Sequence, residues 1–203
     1  MKTKRGVIAP VVYLRNMLHP TPQGQGLYSG LMFTYYMGSA ATSFLAPYLN
    51  ELSLSGAQVG TAIAVINLFG ILSAPAAGSI SDRLGSPRRV LIGCLAAASI
   101  LYLCVGLFGS CALFGLPAAV LILPVWSIFK TPLSSLNDSM TVQVINRKRT
   151  FTYGSVRCLG SLGYSIMCIV FGRIAAAMGS NVSVFFLYGI LNLIPSALLI
   201  RAR

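Results

Sequence analysis

Beyond the first 26 residues, long apolar runs alternate with short polar stretches along the whole chain. The runs fall at about 27–49, 57–80, 90–109, 112–140, 153–177 and 184–200. Each approaches or exceeds the roughly 20 apolar residues that a helix needs to cross a hydrocarbon core. The fourth is longer than a bilayer requires, so its end is expected to project or its helix to tilt. No stretch alternates with period two through a series of strands, which argues against a β-barrel. The pattern predicts an all-α membrane protein with six transmembrane helices.

Composition agrees with lipid as the solvent. Hydrophobic residues make up 56% of the chain and charged residues 9%, and mean hydropathy is +0.79. A water-facing surface usually needs about a quarter of the residues charged. The net charge of +12 would suggest nucleic acid in a soluble protein. Here the basic residues fall in alternate polar stretches: Lys2, Lys4, Arg5 and Arg15; Arg83, Arg88 and Arg89; Arg147, Lys148 and Arg149; Arg201 and Arg203. The intervening stretches around 50–56, 110–111 and 178–183 carry none. That asymmetry predicts a multi-pass protein of the cell membrane with both termini cytoplasmic, and no nucleic-acid partner. Residues 1–26 then form a basic cytoplasmic tail, since Pro10, Arg15 and the His-Pro-Thr-Pro sequence suit neither a signal peptide nor a span. Residues 27–203 form the helical bundle.

Little conventional chemistry is available. Five cysteines (Cys94, Cys104, Cys111, Cys158, Cys168) lie scattered through apolar segments without a C-x-x-C spacing, and His19 is the single histidine. No metal site or cofactor is expected, and the cysteines read as packing residues. One histidine and three well-separated acids (Glu51, Asp82, Asp138) give no nucleophile–base set, so an enzyme is not expected. Glu51, beyond the first span, reads as a solvated loop charge.

The polar residues that lie between or within spans are more telling. In Gly78-Ser-Ile-Ser-Asp82-Arg83-Leu-Gly85-Ser-Pro-Arg88-Arg89, Gly85 and Pro87 predict a tight turn between the second and third spans. Asp82 falls at the negative end of the second helix's dipole, where an acid is disfavoured. It needs compensation from Arg83, Arg88 and Arg89 or from a neighbouring helix N-terminus. Asp138 and Arg157 lie nine residues before Arg147 and eight after Arg149. If both segments are helical, the two sit at matched depth, roughly 12 Å from the loop, on antiparallel spans. They can pair, either as a functional site facing an aqueous cavity or as a helix–helix staple. Lys130, with Trp126 one turn above it and Asn137 nearby, makes a polar stripe on the fourth span. Lys130 either meets a solute or snorkels to water. Arg173 near the end of the fifth span can also snorkel. Tyr164, two turns beyond Arg157, either lines the same cavity as an aromatic platform or packs. Gly154, Gly160, Ser161 and Gly163 on that span would let a neighbouring helix approach closely.

Several of these motifs resemble the N-terminal half of the major facilitator superfamily, in its lactose-permease-like branch of sugar, nucleoside and aromatic-acid symporters. They are the G-x-x-x-D-R-x-G-x-x-R-R loop at 78–89, Met37-Gly38-Ser39 with Phe44-Leu-Ala-Pro47-Tyr48-Leu49, Pro75, and the Tyr153-Gly154-x-x-Arg157-x-x-Gly160-Ser161-x-Gly163-Tyr164 run. The likeness extends from about Leu27 to Ile200. It implies that Asp82, within the conformational loop Gly78, Asp82, Arg83, Gly85, Arg88 and Arg89, docks on a helix of a second half. It also implies that Arg157 lines the substrate cavity with Asp138 as partner, and that Tyr164 stands where sugar transporters stack their substrate. The gene products of this family carry two six-span halves around a central site.

The resemblance therefore implies proton-coupled symport of a small organic solute, with Asp138, Arg157, Tyr164, Lys130, Asn137 and Trp126 as substrate or proton-coupling residues. A second six-helix half or a second copy of the chain would complete the cavity. The alternatives are a membrane-embedded binding or scaffold protein, which needs no second half, and a non-functional truncated transporter.

Overall fold

A computed structural model of the chain describes residues 25–113, 115–148 and 152–201. Nearly all of the basic tail, together with Arg149 and Arg203, lies outside the described residues. Helices run from Gln25 to Ser39 (α1), Leu45 to Glu51 (α2), Gly56 to Leu84 (α3), Pro87 to Phe108 (α4), Ala118 to Lys148 (α5), Tyr153 to Met178 (α6) and Val182 to Arg201 (α7). A tightened 3-10 turn, Ala40–Phe44, joins α1 to α2, so the first apolar run is one nearly continuous helical passage. Among the described residues, four helices, α3 to α6, are long and apolar enough to cross a membrane, and α7 carries a shorter apolar stretch.

The connections follow local chemistry. Ser55 and Gln58 form a reciprocal capping box that starts α3, the Ser55 hydroxyl accepting from the Gln58 N–H at 3.3 Å. This satisfies two donors that the first helical turn leaves orphaned. Gly85 ends α3 in the left-handed conformation at φ 57°, which costs a glycine no steric penalty. Pro87 then opens α4 in its first turn, where the missing N–H is not needed. The apolar run that begins at 112 is not helical from its start. Ala112–Leu113 pairs antiparallel with Leu116–Pro117 around Gly115, whose φ is 80°. The helix begins only at Ala118, and it runs on to Lys148.

Glu51 departs from its expected role. Its carboxylate accepts from the Asn181 backbone N–H at 3.1 Å, from the Asn181 side-chain amide at 2.5 Å and from the Ser180 hydroxyl at 3.2 Å. It therefore caps the start of α7, where a negative charge is favoured by the helix dipole. A sequence separation of 130 residues hides this from any local reading.

Packing is helix on helix: α5 lies against α3 and α4, α7 against α4 and α1, and α1 against α6. Small residues sit where these pairs approach. Gly163 of α6 faces the Phe33 carbonyl, Gly160 faces the Tyr36 ring, and Gly70 of α3 faces Thr131 of α5. Close backbone approach of this kind drives helix association in lipid, where apolar burial does not. The interior holds an aromatic cluster in which Tyr102 stacks on Trp126 at 4.4 Å and meets Phe185 and Tyr188. The outer surface is apolar: Ile71, Leu72, Ile100, Leu107 and Ile169 are all exposed. Exposed large apolar side chains in such number mark contact with lipid or with another protein.

Candidate functional site

Two helices that otherwise barely touch, α5 and α6, meet through Asp138 and Arg157. Arg157 Nη1 donates to Asp138 Oδ1 at 3.4 Å, and the two side chains remain 41% and 32% exposed. A pair this long, open and singly bonded is weaker than a bidentate arginine–carboxylate bridge. The rest of the guanidinium thus stays accessible from the open side.

Three contacts of aromatic side chains complete this end of the site. The Arg157 guanidinium carbon lies 4.3 Å from the centre of the Tyr36 ring on α1, a cation–π arrangement. Tyr153, at the first turn of α6, presents its hydroxyl to Asp138. Two turns further along α6, Tyr164 shares a hydrogen bond of 2.5 Å with Ser43 of the 3-10 turn. Tyr36, Asp138, Tyr153 and Arg157 form one cluster, with the Ser43–Tyr164 pair beyond it. Tyr36 could not be singled out in sequence among the aromatics of the first span; only its contact across α1 and α6 distinguishes it.

The other candidates go elsewhere. Asn137 is buried and its amide donates to Met32 Sδ at 3.2 Å, facing α1 rather than the ion pair. Trp126 is buried in the aromatic cluster against Tyr102 and Tyr188. Lys130 is half-buried, with no hydrogen bond or ion pair among the described residues. At the α3–α4 turn, Asp82, Arg83 and Arg89 are exposed, Arg88 is half-buried and engaged, and Gly78 borders open space. The Gly85 N–H donates to the Asp82 carbonyl at 3.2 Å, while the Asp82 carboxylate pairs with no described residue.

An apolar groove of about 560 Å3 lies between α3 and the start of α5, lined by Leu54, Val65, Phe69, Val120, Leu121 and Val125 among others. It includes neither Asp138 nor Arg157 and presents almost no polar group, so it does not share in this chemistry. The described residues hold no group of histidine, cysteine, aspartate and glutamate side chains able to bind a metal.

Residues 25–202 match the model of the MFS_1 like family. The chain belongs to that family, within the major facilitator superfamily. Among curated relatives of this family, it is 26% identical over 177 residues to the uncharacterized transporter YwbF of Bacillus subtilis (strain 168), covering 85% of this chain and 43% of that protein. It is 24% identical over 168 residues to the maltose permease of Geobacillus stearothermophilus, covering 82% and 41%. The chain thus spans about two fifths of the length of these relatives. No solved structure gives a significant match. Membership of the major facilitator superfamily, with the apolar helices above, makes the chain an all-α, multi-pass membrane protein.

Proposed function

We propose that this chain is one six-helix half of a secondary transporter that carries a small organic solute across the cell membrane, coupled to protons. The observation that carries the reading is the Asp138–Arg157 pair, open on one side and set within two apolar helices. Ionisable side chains are costly at such depth and serve solute or proton pathways when they persist. The curated relatives support transport as the class of activity, since their names are transporter and permease. Asp138 and Arg157 engage the solute or the proton; Tyr164 lies beyond them on the same helix, and Lys130 adds a cation on α5. The alternation of basic stretches supports six crossings with both termini in the cytoplasm.

Transport by alternating access needs two bundles rocking about a central site. The conformational loop around Asp82 then faces a second six-helix half or a second copy of the chain. An exposed carboxylate without a described partner suits that role.

The test is uptake of radiolabelled maltose and a panel of small sugars, nucleosides and aromatic acids into cells expressing the chain, with and without a co-expressed second copy. Accumulation is expected to collapse when the proton gradient is dissipated. Asp138→Asn keeps the side-chain volume and removes the charge, so it should abolish accumulation while membrane levels stay unchanged. Full accumulation by Asp138→Asn overturns the coupling role. Ligand binding with no flux in proteoliposomes overturns transport itself.

A further inference from the structure

We propose that Tyr36 is a positioning residue for Arg157, acting through the face of its ring rather than its hydroxyl. The inference concerns how the site cation is held, and it stands whether or not the transport reading does.

Asp138 alone holds the guanidinium poorly. The single Nη1–Oδ1 contact is 3.4 Å long, and α5 and α6 give each other little further support. An arginine side chain carries several freely rotating bonds, so one weak contact leaves it to sample many orientations. The second support is the Tyr36 ring, 4.3 Å from the guanidinium carbon. That ring is itself fixed. Gly160, one turn beyond Arg157, lies so close that a Cβ there would stand 2.6 Å from Tyr36 Cδ2. Tyr35 meets the ring edge-on, at 5.0 Å and 78°. Met32 and Val156 are buried beside it.

The Tyr36 hydroxyl is buried and has no hydrogen-bond partner among the described residues. Burying an unpaired hydroxyl is unfavourable, so the hydroxyl does not account for the ring's placement. The ring face accounts for it: it offers negative quadrupole density to a cation that Asp138 only partly neutralises. Arg157 is thereby held between ring and carboxylate while its side chain stays 41% exposed.

The experiment measures phenylglyoxal modification of Arg157 in the purified full chain in detergent, read by peptide mass spectrometry, with the exposed Arg173 on the same helix as reference. Loss of the ring in Tyr36→Leu is expected to raise the rate at Arg157 roughly two- to thirtyfold, the range a cation–π contact commands. Tyr36→Phe should stay within about twofold of the native rate, because it keeps the face and drops only the unpaired hydroxyl. Should Tyr36→Leu not fold, phenylalanines carrying successive fluorines at position 36 keep the volume while draining the ring face. The Arg157 rate should then climb with each fluorine. An unchanged rate in Tyr36→Leu, a flat fluorine series, or acceleration in Tyr36→Phe equal to that in Tyr36→Leu overturns the proposal. So does equal acceleration at Arg157 and Arg173, which would show general loosening of α6.

Discussion

Two glycines on the same helix should respond to the same substitution with opposite sign. Gly163 faces α1: a Cβ built there would lie 2.8 Å from the Phe33 carbonyl oxygen, 3.0 Å from Phe33 Cδ2 and 3.1 Å from Met37 Cγ. Met37 can rotate away, but the carbonyl belongs to the α1 backbone. A carbon–oxygen contact relaxes at about 3.3 Å or more, so Gly163→Ala must part α1 and α6 by roughly half an ångström. Overpacking of this kind costs about 1–3 kcal/mol. The gain of roughly 0.8–1 kcal/mol in helix propensity on replacing glycine by alanine offsets part of it. The net expectation is a loss of up to about 2 kcal/mol. Gly154, nine residues earlier on α6, has nothing within 4 Å of a built Cβ. Gly154→Ala therefore keeps only the gain, which at the second residue of α6 is at most about 0.5–1 kcal/mol. Thermal unfolding of the purified chain in detergent, followed by the fluorescence of its single tryptophan, reports both. Because Gly163 lies one turn from Gly160, its substitution should also ease Tyr36 away from Arg157 and quicken Arg157 modification. Shifts of the same sign and size in the two variants would refute the account of α1–α6 packing.

Three further substitutions test the remaining contacts. Ser127→Ala removes the hydroxyl that donates to the Ile66 carbonyl of α3 at 2.7 Å, and should lower stability by about 0.6 kcal/mol, as interhelical hydrogen bonds in membranes do; an unchanged midpoint would show that the bond contributes nothing. Glu51→Gln keeps the shape but weakens the cap on α7, with an expected loss of about 0.5–1 kcal/mol that shrinks at high salt; salt independence would point to geometry rather than charge. Lys130→Met removes an unpaired, half-buried cation and should raise the unfolding midpoint, whereas Arg157→Met strands Asp138 and should lower it. A lowered midpoint in Lys130→Met would mean that Lys130 has a charged partner, and a raised one in Arg157→Met would mean that the ion pair does not stabilise the fold.

The sequence carried the class of fold because lipid imposes a one-dimensional rule. A span must be long, apolar and internally hydrogen-bonded, and each of those demands is written in consecutive residues. Helix ends at Gly85 and Pro87 follow from equally local chemistry, and the matched spacing of Asp138 and Arg157 about a common turn placed them at one depth. Where the rule is silent, local backbone geometry decides. Beside Gly115, Ala112–Leu113 pairs with Leu116–Pro117, although their apolar character suits a helix just as well.

Which side of a helix meets which neighbour is a different kind of information. Asn137 and Asp138 are adjacent in sequence, yet one turns to Met32 and the other to Arg157, because successive helical residues point about 100° apart. Trp126 shared a stripe with Lys130 on paper but is claimed by Tyr102 and Tyr188. Tyr36 and Glu51 gain their roles only from partners more than 100 residues away. The sequence by itself determined that the chain lives in a membrane as a helical bundle with charges at one matched depth. Only the tertiary structure decided that those charges meet over the ring of Tyr36, since contacts between helices depend on rotation and crossing that no single segment encodes.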